Sequence, residues 1–271
     1  MNKFYFTKYE VSSTTNKRIV LISDIHYYNK KMYSLLENIY LNINAAKPDC
    51  ICIPGDFIDE RSIYDEEIFL NFLKKLGTIC PVIISIGNHE TKTKHDHLDQ
   101  LNVSFMNQID KIENIHLLNN TSWVHENIRF TGLTFPYESY TEKKESSKVV
   151  WNTLNEKFDK GVRKDKFNIV LSHSPYCLLY KKVKEHKLYQ SADLVLCGHT
   201  HGGLTPPFLY RILNHAFISP QRHLFPKNSY GYLKEEKTIV SSGITKLSHM
   251  NPFRHFNFLF SSEIVIIELK K

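Results

Sequence analysis

Apolar and polar positions alternate along the chain in blocks that predict a repeated strand–helix order. Arg18 to Ser23 is a short β-branched run that reads as a buried strand, and Lys30 to Ala46 follows as a helix with Leu35, Leu36, Ile39 and Ile43 on one face. Pro48 and Asp49 stop that helix, Cys50 to Ile53 forms the next strand, and Tyr64 to Leu76 the next helix, closed by Gly77. Val82 to Ile86 is a further strand. The middle is less regular: Ile115–Leu118, Trp123–Glu126 and Ile128–Leu133 read as short strands, ahead of a polar loop and a helix from about Lys148 to Lys160. The buried-strand pattern returns at Phe167–Ser172 and Asp193–Cys197, around an amphipathic segment from Tyr176 to Tyr189, and the chain closes with Thr238–Ser242 and Ile264–Leu269. The alternation predicts a layered α/β fold. With no internal repeat and no low-complexity linker, the 271 residues read as one domain.

Composition narrows the class. An apolar fraction of 42% with only 10 glycines and 10 prolines excludes a disordered or fibrous chain. The five cysteines are odd in number and four lie in or beside apolar runs, which predicts buried thiols in a reducing compartment. The opening MNKFYFTKYEVSSTTNKR has no long apolar core, and no later run is long enough to span a bilayer, so the reading is a soluble, cytoplasmic protein. The formal charge of +7 favours phosphate-bearing partners, and peripheral contact with an anionic membrane is one expectation. The lysines are scattered and no basic arm with interleaved aromatics is present, which argues against a dedicated nucleic-acid-binding arm. No protein partner can be inferred.

The chemistry is concentrated at the strand ends. Ser23-Asp24-Ile25-His26 follows the first predicted strand, Pro54-Gly55-Asp56-Phe57-Ile58-Asp59 the second and Gly87-Asn88-His89-Glu90 the third. Ser172-His173-Ser174 and Cys197-Gly198-His199-Thr200-His201 follow the two later ones. Ligands of α/β sheets sit outside the carboxyl ends of strands, where loops converge. A cysteine-free set of carboxylates and imidazoles suits Mn, Fe, Zn or Mg. Residues i and i+2 of an extended segment point to one side, so Asp24 with His26, and His199 with His201, are each expected to reach a common site.

The series DIH at 24, GDFID at 55, GNHE at 87, a lone His173 and GHTH at 198 resembles the calcineurin-like metallophosphoesterase superfamily over about residues 18 to 203. The later S-S-G and closing strand resemble its bacterial branch acting on phosphodiesters and lipid-linked pyrophosphates. The resemblance implies a β-sandwich flanked by helices with a dinuclear metal site at the C-terminal ends of the strands. It assigns Asp24, His26 and His201 to one metal, Asn88, His173 and His199 to the other, and Asp56 to the bridge, with Mn favoured. A metal-activated hydroxide would attack phosphorus, His89 would protonate the leaving group, and Asp59 would orient a ligand.

The expected function is therefore a phosphodiesterase or pyrophosphohydrolase on a small or lipid-linked substrate. A protein or small-molecule phosphomonoesterase is the alternative within the enzyme class. Glu60-Arg61 departs from the G-D-x-V-D-R-G continuation of the protein phosphatases. A non-catalytic scaffold on the same fold would be expected to have lost several ligands, yet all seven candidates and His89 are present. His95 and His97 form a polar H-D-H read as solvated, and His116, His125 and His186 match no motif. Residues 205–230 are apolar enough either to cap the site or to pack as core.

Overall fold

Among the described residues, twelve strands, β1 to β12 in chain order, build two six-stranded sheets. The computed structural model describes residues 4–59, 66–92, 99–140, 146–205, 228–245 and 262–271. The first sheet has the order β1 (Phe4–Ser12), β12 (Ser262–Lys270), β2 (Lys17–Leu21), β3 (Cys50–Pro54), β4 (Val82–Ser85), β5 (Ile115–Leu118). The second has β10 (Gly231–Leu233), β11 (Thr238–Val240), β9 (Leu194–Cys197), β8 (Phe167–Ser172), β7 (Ile128–Leu133), β6 (Thr121–His125). Strands β2 to β5 run parallel, as do β7, β8, β9 and β11, so both sheets deliver their loops to one end.

Every residue of β3, β4, β8 and β9 is buried, as sequence runs without alternation require of strands covered on both faces. Ile19, Leu21, Cys52, Ile83, Leu171 and Leu196 fill the space between the sheets. Helices α1 (Tyr33–Ala46), α2 (Glu66–Gly77) and α4 (Asp99–Ile109) cover the outer face of the first sheet, where Phe69 meets Tyr27, Phe57, Phe72 and Phe105. The short α3 (Asn88–Lys92) follows β4. Helices α5 (Ser146–Phe158), α6 (Pro175–Leu179), α7 (Lys181–Lys184) and α8 (Lys187–Ser191) pack on the second sheet through Val150, Leu154, Val183 and Leu188. The result is the expected β-sandwich flanked by helices.

Several elements differ from the sequence reading. The amphipathic segment Tyr176–Tyr189 forms three short helices, broken at Tyr180 and His186, whose ψ of 132° and 141° are extended. His186 is buried and accepts the Leu188 N–H at 3.1 Å, which makes it the cap of α8. His116 stacks on Trp123 at a centroid distance of 3.6 Å, and His125 stacks on the same indole at 5.2 Å. Strand β1 escaped the pattern because its partner β12 lies at the other end of the chain, Phe4 pairing with Ser262. The H-D-H histidines lie outside the described residues, as does nearly all of 205–230. No described helix is long and apolar enough to cross a membrane, and the described cysteines 50, 52, 80 and 197 are free thiols.

Phe69 is fully buried at the centre of the ring cluster. A Phe69→Ala substitution is expected to cost about 3–5 kcal/mol in urea unfolding, the usual range for emptying such a site. A loss below about 1 kcal/mol would show that the cluster adds little beyond the aliphatic core.

Candidate metal centre

Five strand ends converge on one buried polar cluster. Asp24 and His26 follow β2, Asp56 follows β3, Asn88 and His89 open α3 behind β4, His173 follows β8, and His199 and His201 follow β9. Asp24, Asp56, His26 and His173 are all at most 2% exposed. Three overlapping groups have ligand atoms within 4.8 Å of one another: Asp24, His26 and His201; His26, Asp56 and His89; and Asp56, His173 and His199. Asp56 and His26 thus each belong to two groups.

The backbone geometry corrects the expectation of extended i, i+2 pairs. Asp24 (φ 51°), His26 (φ 48°), Asp56 (φ 51°), His199 (φ 68°) and His201 (φ 49°) all lie in the left-handed region. Non-glycine residues rarely adopt it, and it clusters at functional sites where the surroundings over-determine the chain. The ligands converge because the chain coils sharply at each strand end, not because a strand continues.

Backbone hydrogen bonds hold these turns against each other. His26 N–H donates to Asp56 O at 3.0 Å, His199 N–H to Asp24 Oδ1 at 3.0 Å, and His89 N–H to Asp56 Oδ1 at 2.9 Å. Glu90, given no role by the sequence reading, is the central clasp. Its buried carboxylate accepts the N–H groups of Gly87 at 2.7 Å, Asp56 at 2.9 Å and Ile58 at 3.0 Å, tying the loop after β3 to the loop after β4. Burial and the Asp56 charge push its pKa up to about 7. Gly55 sits at φ 82°, where a Cβ would lie 2.7 Å from Gly87, so the two loops touch only because both residues lack side chains.

Two carbonyls fix the imidazoles. His173 Nδ1 donates to Pro54 O at 2.8 Å, turning Nε2 to within 2.9 Å of Asp56 Oδ2 and 3.2 Å of His199 Nδ1. His201 Nδ1 donates to Thr245 O at 2.7 Å, turning its Nε2 inward, 3.7 Å from Asp24 Oδ1. A carbonyl accepts only, so each bond sets which nitrogen faces the cluster, a common arrangement behind metal-binding histidines. Asp59 is buried at the end of its loop, its N–H donating to Tyr27 O at 2.9 Å. Tyr140, also missed in the sequence, walls the second-sheet side with its ring 5.5 Å from His199 and 6.0 Å from His173.

The electrostatics ask for positive charge. Burial disfavours an ionised Asp56, yet His173, His89 and His26 outweigh it and hold its carboxyl well below the usual range. Burial likewise opposes a charge on His173, but Asp56 and Asp24 raise it to about 9. Burial and neighbouring imidazoles keep His26 and His199 well below the ordinary value, so they are neutral bases with lone pairs to offer. Both ring nitrogens of His26 and Oδ1 of Asn88 are buried with no hydrogen-bond partner among the described residues, a costly state that a bound cation would relieve. The donor set therefore fits divalent cations of the carboxylate and imidazole class.

The profile of the family described as calcineurin-like phosphoesterase matches residues 17–203, and the chain belongs to that family. It is 26% identical over 228 residues to an uncharacterized metallophosphoesterase of Helicobacter pylori, covering 79% of this chain and 54% of that one. It is 24% identical over 232 residues to the phosphodiesterase YaeI of Escherichia coli, covering 79% and 71% respectively. Among solved structures it is similar to the phosphopantetheinyl hydrolase PptH of Mycobacterium tuberculosis, at 13% identity and a TM-score of 0.44 over 68% of this chain and 83% of that one. The chain spans about half the length of the curated metallophosphoesterases of Helicobacter that it matches.

Removing the Glu90 carboxylate orphans three buried N–H groups, each worth about 1–3 kcal/mol. Glu90→Ala is expected to lower stability by about 3 kcal/mol or more. Where it still folds, its affinity for Mn²⁺ in equilibrium dialysis should fall at least about tenfold, as when a partner behind a metal ligand is lost. Wild-type stability and affinity would show that the loops hold without the clasp.

Proposed function

We propose that the chain is a metal-dependent phosphohydrolase, a phosphodiesterase or pyrophosphohydrolase acting on a small or lipid-linked substrate. The observation that carries it is the sharing of Asp56 between two ligand groups, one with His26 and His89 and the other with His173 and His199. One carboxylate facing two nitrogen-rich pockets is the arrangement that holds a pair of cations. Asp24, His26 and His201 would hold one ion, Asn88, His173 and His199 the other, and Asp56 both. Two divalent ions so placed supply Lewis-acid stabilisation of phosphoryl oxygens and a water of lowered pKa.

His89 acts on the leaving group. Its backbone N–H is anchored on Asp56 while its side chain is 22% exposed, against 2% for His26 and none for His173, so an incoming ester can reach it. Its imidazole can give a proton to the departing alkoxide, which is a poor leaving group without one. Tyr140 is buried beside His173 and His199 on the second-sheet side of the cluster. Similarity to a phosphodiesterase over most of both chains supports the diester over the monoester reading.

The test is hydrolysis of bis-p-nitrophenyl phosphate and p-nitrophenyl phosphate with Mn²⁺ or EDTA, beside metal content. Wild type should cleave the diester faster, and EDTA should abolish it. Asp56→Asn should lose activity and metal together. His89→Asn should keep two equivalents of metal while kcat falls about 10²–10⁴-fold, the usual contribution of a general acid. A folded wild type that takes up no metal would sink the enzyme reading, and loss of metal in His89→Asn would make that residue a ligand.

A further inference from the structure

Glu263 stands near the start of β12, ahead of the buried apolar run Ile264–Ile267, and is itself 1% exposed. A carboxylate so placed is tolerated only where donors meet it. Its Oε1 accepts from Tyr230 Oη at 2.7 Å and from Thr7 Oγ1, and its Oε2 accepts from the Ser242 N–H at 2.7 Å and from Ser241 Oγ at 3.4 Å. Its own N–H donates to Gly243 O at 3.1 Å. One side chain of the first sheet thus holds two segments that flank the second: the approach to β10, through Tyr230, and the exit from β11, through Ser241 and Ser242.

Each of these segments reaches the metal centre within a few residues. Beside Tyr230, Ser229 O accepts the hydroxyl of Thr200, the residue between His199 and His201, and Ser229 Oγ lies 2.8 Å from Tyr176 Oη. Beyond Ser242, Gly243 packs against Asp24, Ile244 N–H donates to Ser23 O at 2.9 Å, and Thr245 N–H donates to Asp24 O at 2.9 Å. Thr245 O then takes the His201 ring at 2.7 Å. Both segments therefore act on Asp24 and His201. The other half of the cluster has separate supports, since Pro54 O fixes His173 and Glu90 ties the Asp56 loop to the loop after β4.

We infer that Glu263 is the positioning residue for the cation held by Asp24, His26 and His201. It touches no ligand, and acts by setting the two segments that aim Asp24 and His201. Stapling the sheets alone would not call for a charge, because an apolar side chain of similar size fills such a place without the cost of desolvation. What an apolar side chain cannot do is receive the Ser242 N–H, which can only donate, whereas the hydroxyls of Tyr230 and Thr7 can turn and accept. Glu263→Gln, with its carbonyl on Ser242 and its amide on the hydroxyls, therefore keeps the arrangement, and Glu263→Leu loses it. The inference rests on the two-cation reading of the site.

The test is Mn²⁺ binding by the full chain in equilibrium dialysis, beside the Mn²⁺ electron paramagnetic resonance spectrum, for wild type, Glu263→Leu and Glu263→Gln. Wild type is expected to take two ions. Glu263→Leu should hold one at wild-type affinity and the other at least about tenfold more weakly, as when a partner behind a metal ligand is lost, so that the spectrum of a coupled pair gives way to that of a single ion. Glu263→Gln should match wild type. Added to His201→Ala, Glu263→Leu should cost less than about twofold more, while added to His173→Ala it should keep its full effect, because substitutions acting through one group do not add. Where the Leu variant fails to fold, Glu263→Asp, a methylene too short to reach Ser242, should show the same selective loss. Unchanged affinity for both ions in a folded Leu or Asp variant overturns the inference, as does parallel weakening of both or a full effect in the His201→Ala background. A wild type that takes up no metal sinks the two-cation reading together with this one. The expected binding pattern without hydrolysis of any ester would leave the role of Glu263 standing and sink the phosphohydrolase reading instead.

Discussion

Two carboxylates, Asp24 and Asp56, are buried to 1% exposure or less where five loops meet, and the surrounding architecture answers the cost of keeping them there. An ionised carboxylate taken out of water is tolerated only when it is paired and fully hydrogen-bonded. Asp24 receives the His199 N–H, and Asp56 receives the His89 N–H and the His173 ring. Each of these donors comes from a strand end remote in sequence. The carboxylates therefore fasten the two sheets to one another at one end, and the same bonds place the imidazoles around them.

That demand explains the strained backbone. To aim a side chain and an N–H at one point from the end of a strand, the chain must turn within two or three residues, and left-handed φ at Asp24, His26, Asp56, His199 and His201 does this. Each such residue costs free energy of about 1–3 kcal/mol. The ladders of β2, β3, β8 and β9 and the three hydrogen bonds to Glu90 offset it, because they leave the loops no relaxed alternative. The loops thus hold the carboxylates and imidazoles in place through their own hydrogen bonds.

The strands that carry the site were legible because burial on both faces leaves a sequence mark: unbroken β-branched runs such as Ile-Val-Leu and Ile-Val-Leu-Ser, each ending in a polar cluster. Strand β3 and helix α1 fall where periodicity puts them, apart from a 3-10 turn at Lys30–Met32 that opens the helix. What stayed hidden depends on partners distant in sequence. Strand β1 has no meaning until β12 is beside it, and nothing in Y-E-S-Y says that Tyr140 will lie against His173 and His199. Glu90 was visible as a letter of GNHE, but its work is done by bonds to the backbone of residues over thirty positions earlier, which no spacing rule reveals. The carbonyls of Pro54 and Thr245 are harder still, since any residue type could supply them.

The last of these carbonyls changes where the site ends. The family profile stops at residue 203, yet Thr245 O fixes the ring of His201, Thr245 N–H donates to Asp24 O at 2.9 Å, and Thr245 Oγ1 donates to Ile25 O at 2.8 Å. Gly243, at φ 79°, lies so close to Asp24 that a Cβ there would stand 2.8 Å from the aspartate's own. This strap is held from behind by Glu263, which accepts the Ser242 N–H on the strand that also carries β1. A side chain on β12 thus supports the strap that orients His201 after β9. The motif loops supply the chemistry, but the C-terminal strap and the pairing of β12 with β2 decide the angle at which Asp24 and His201 are presented.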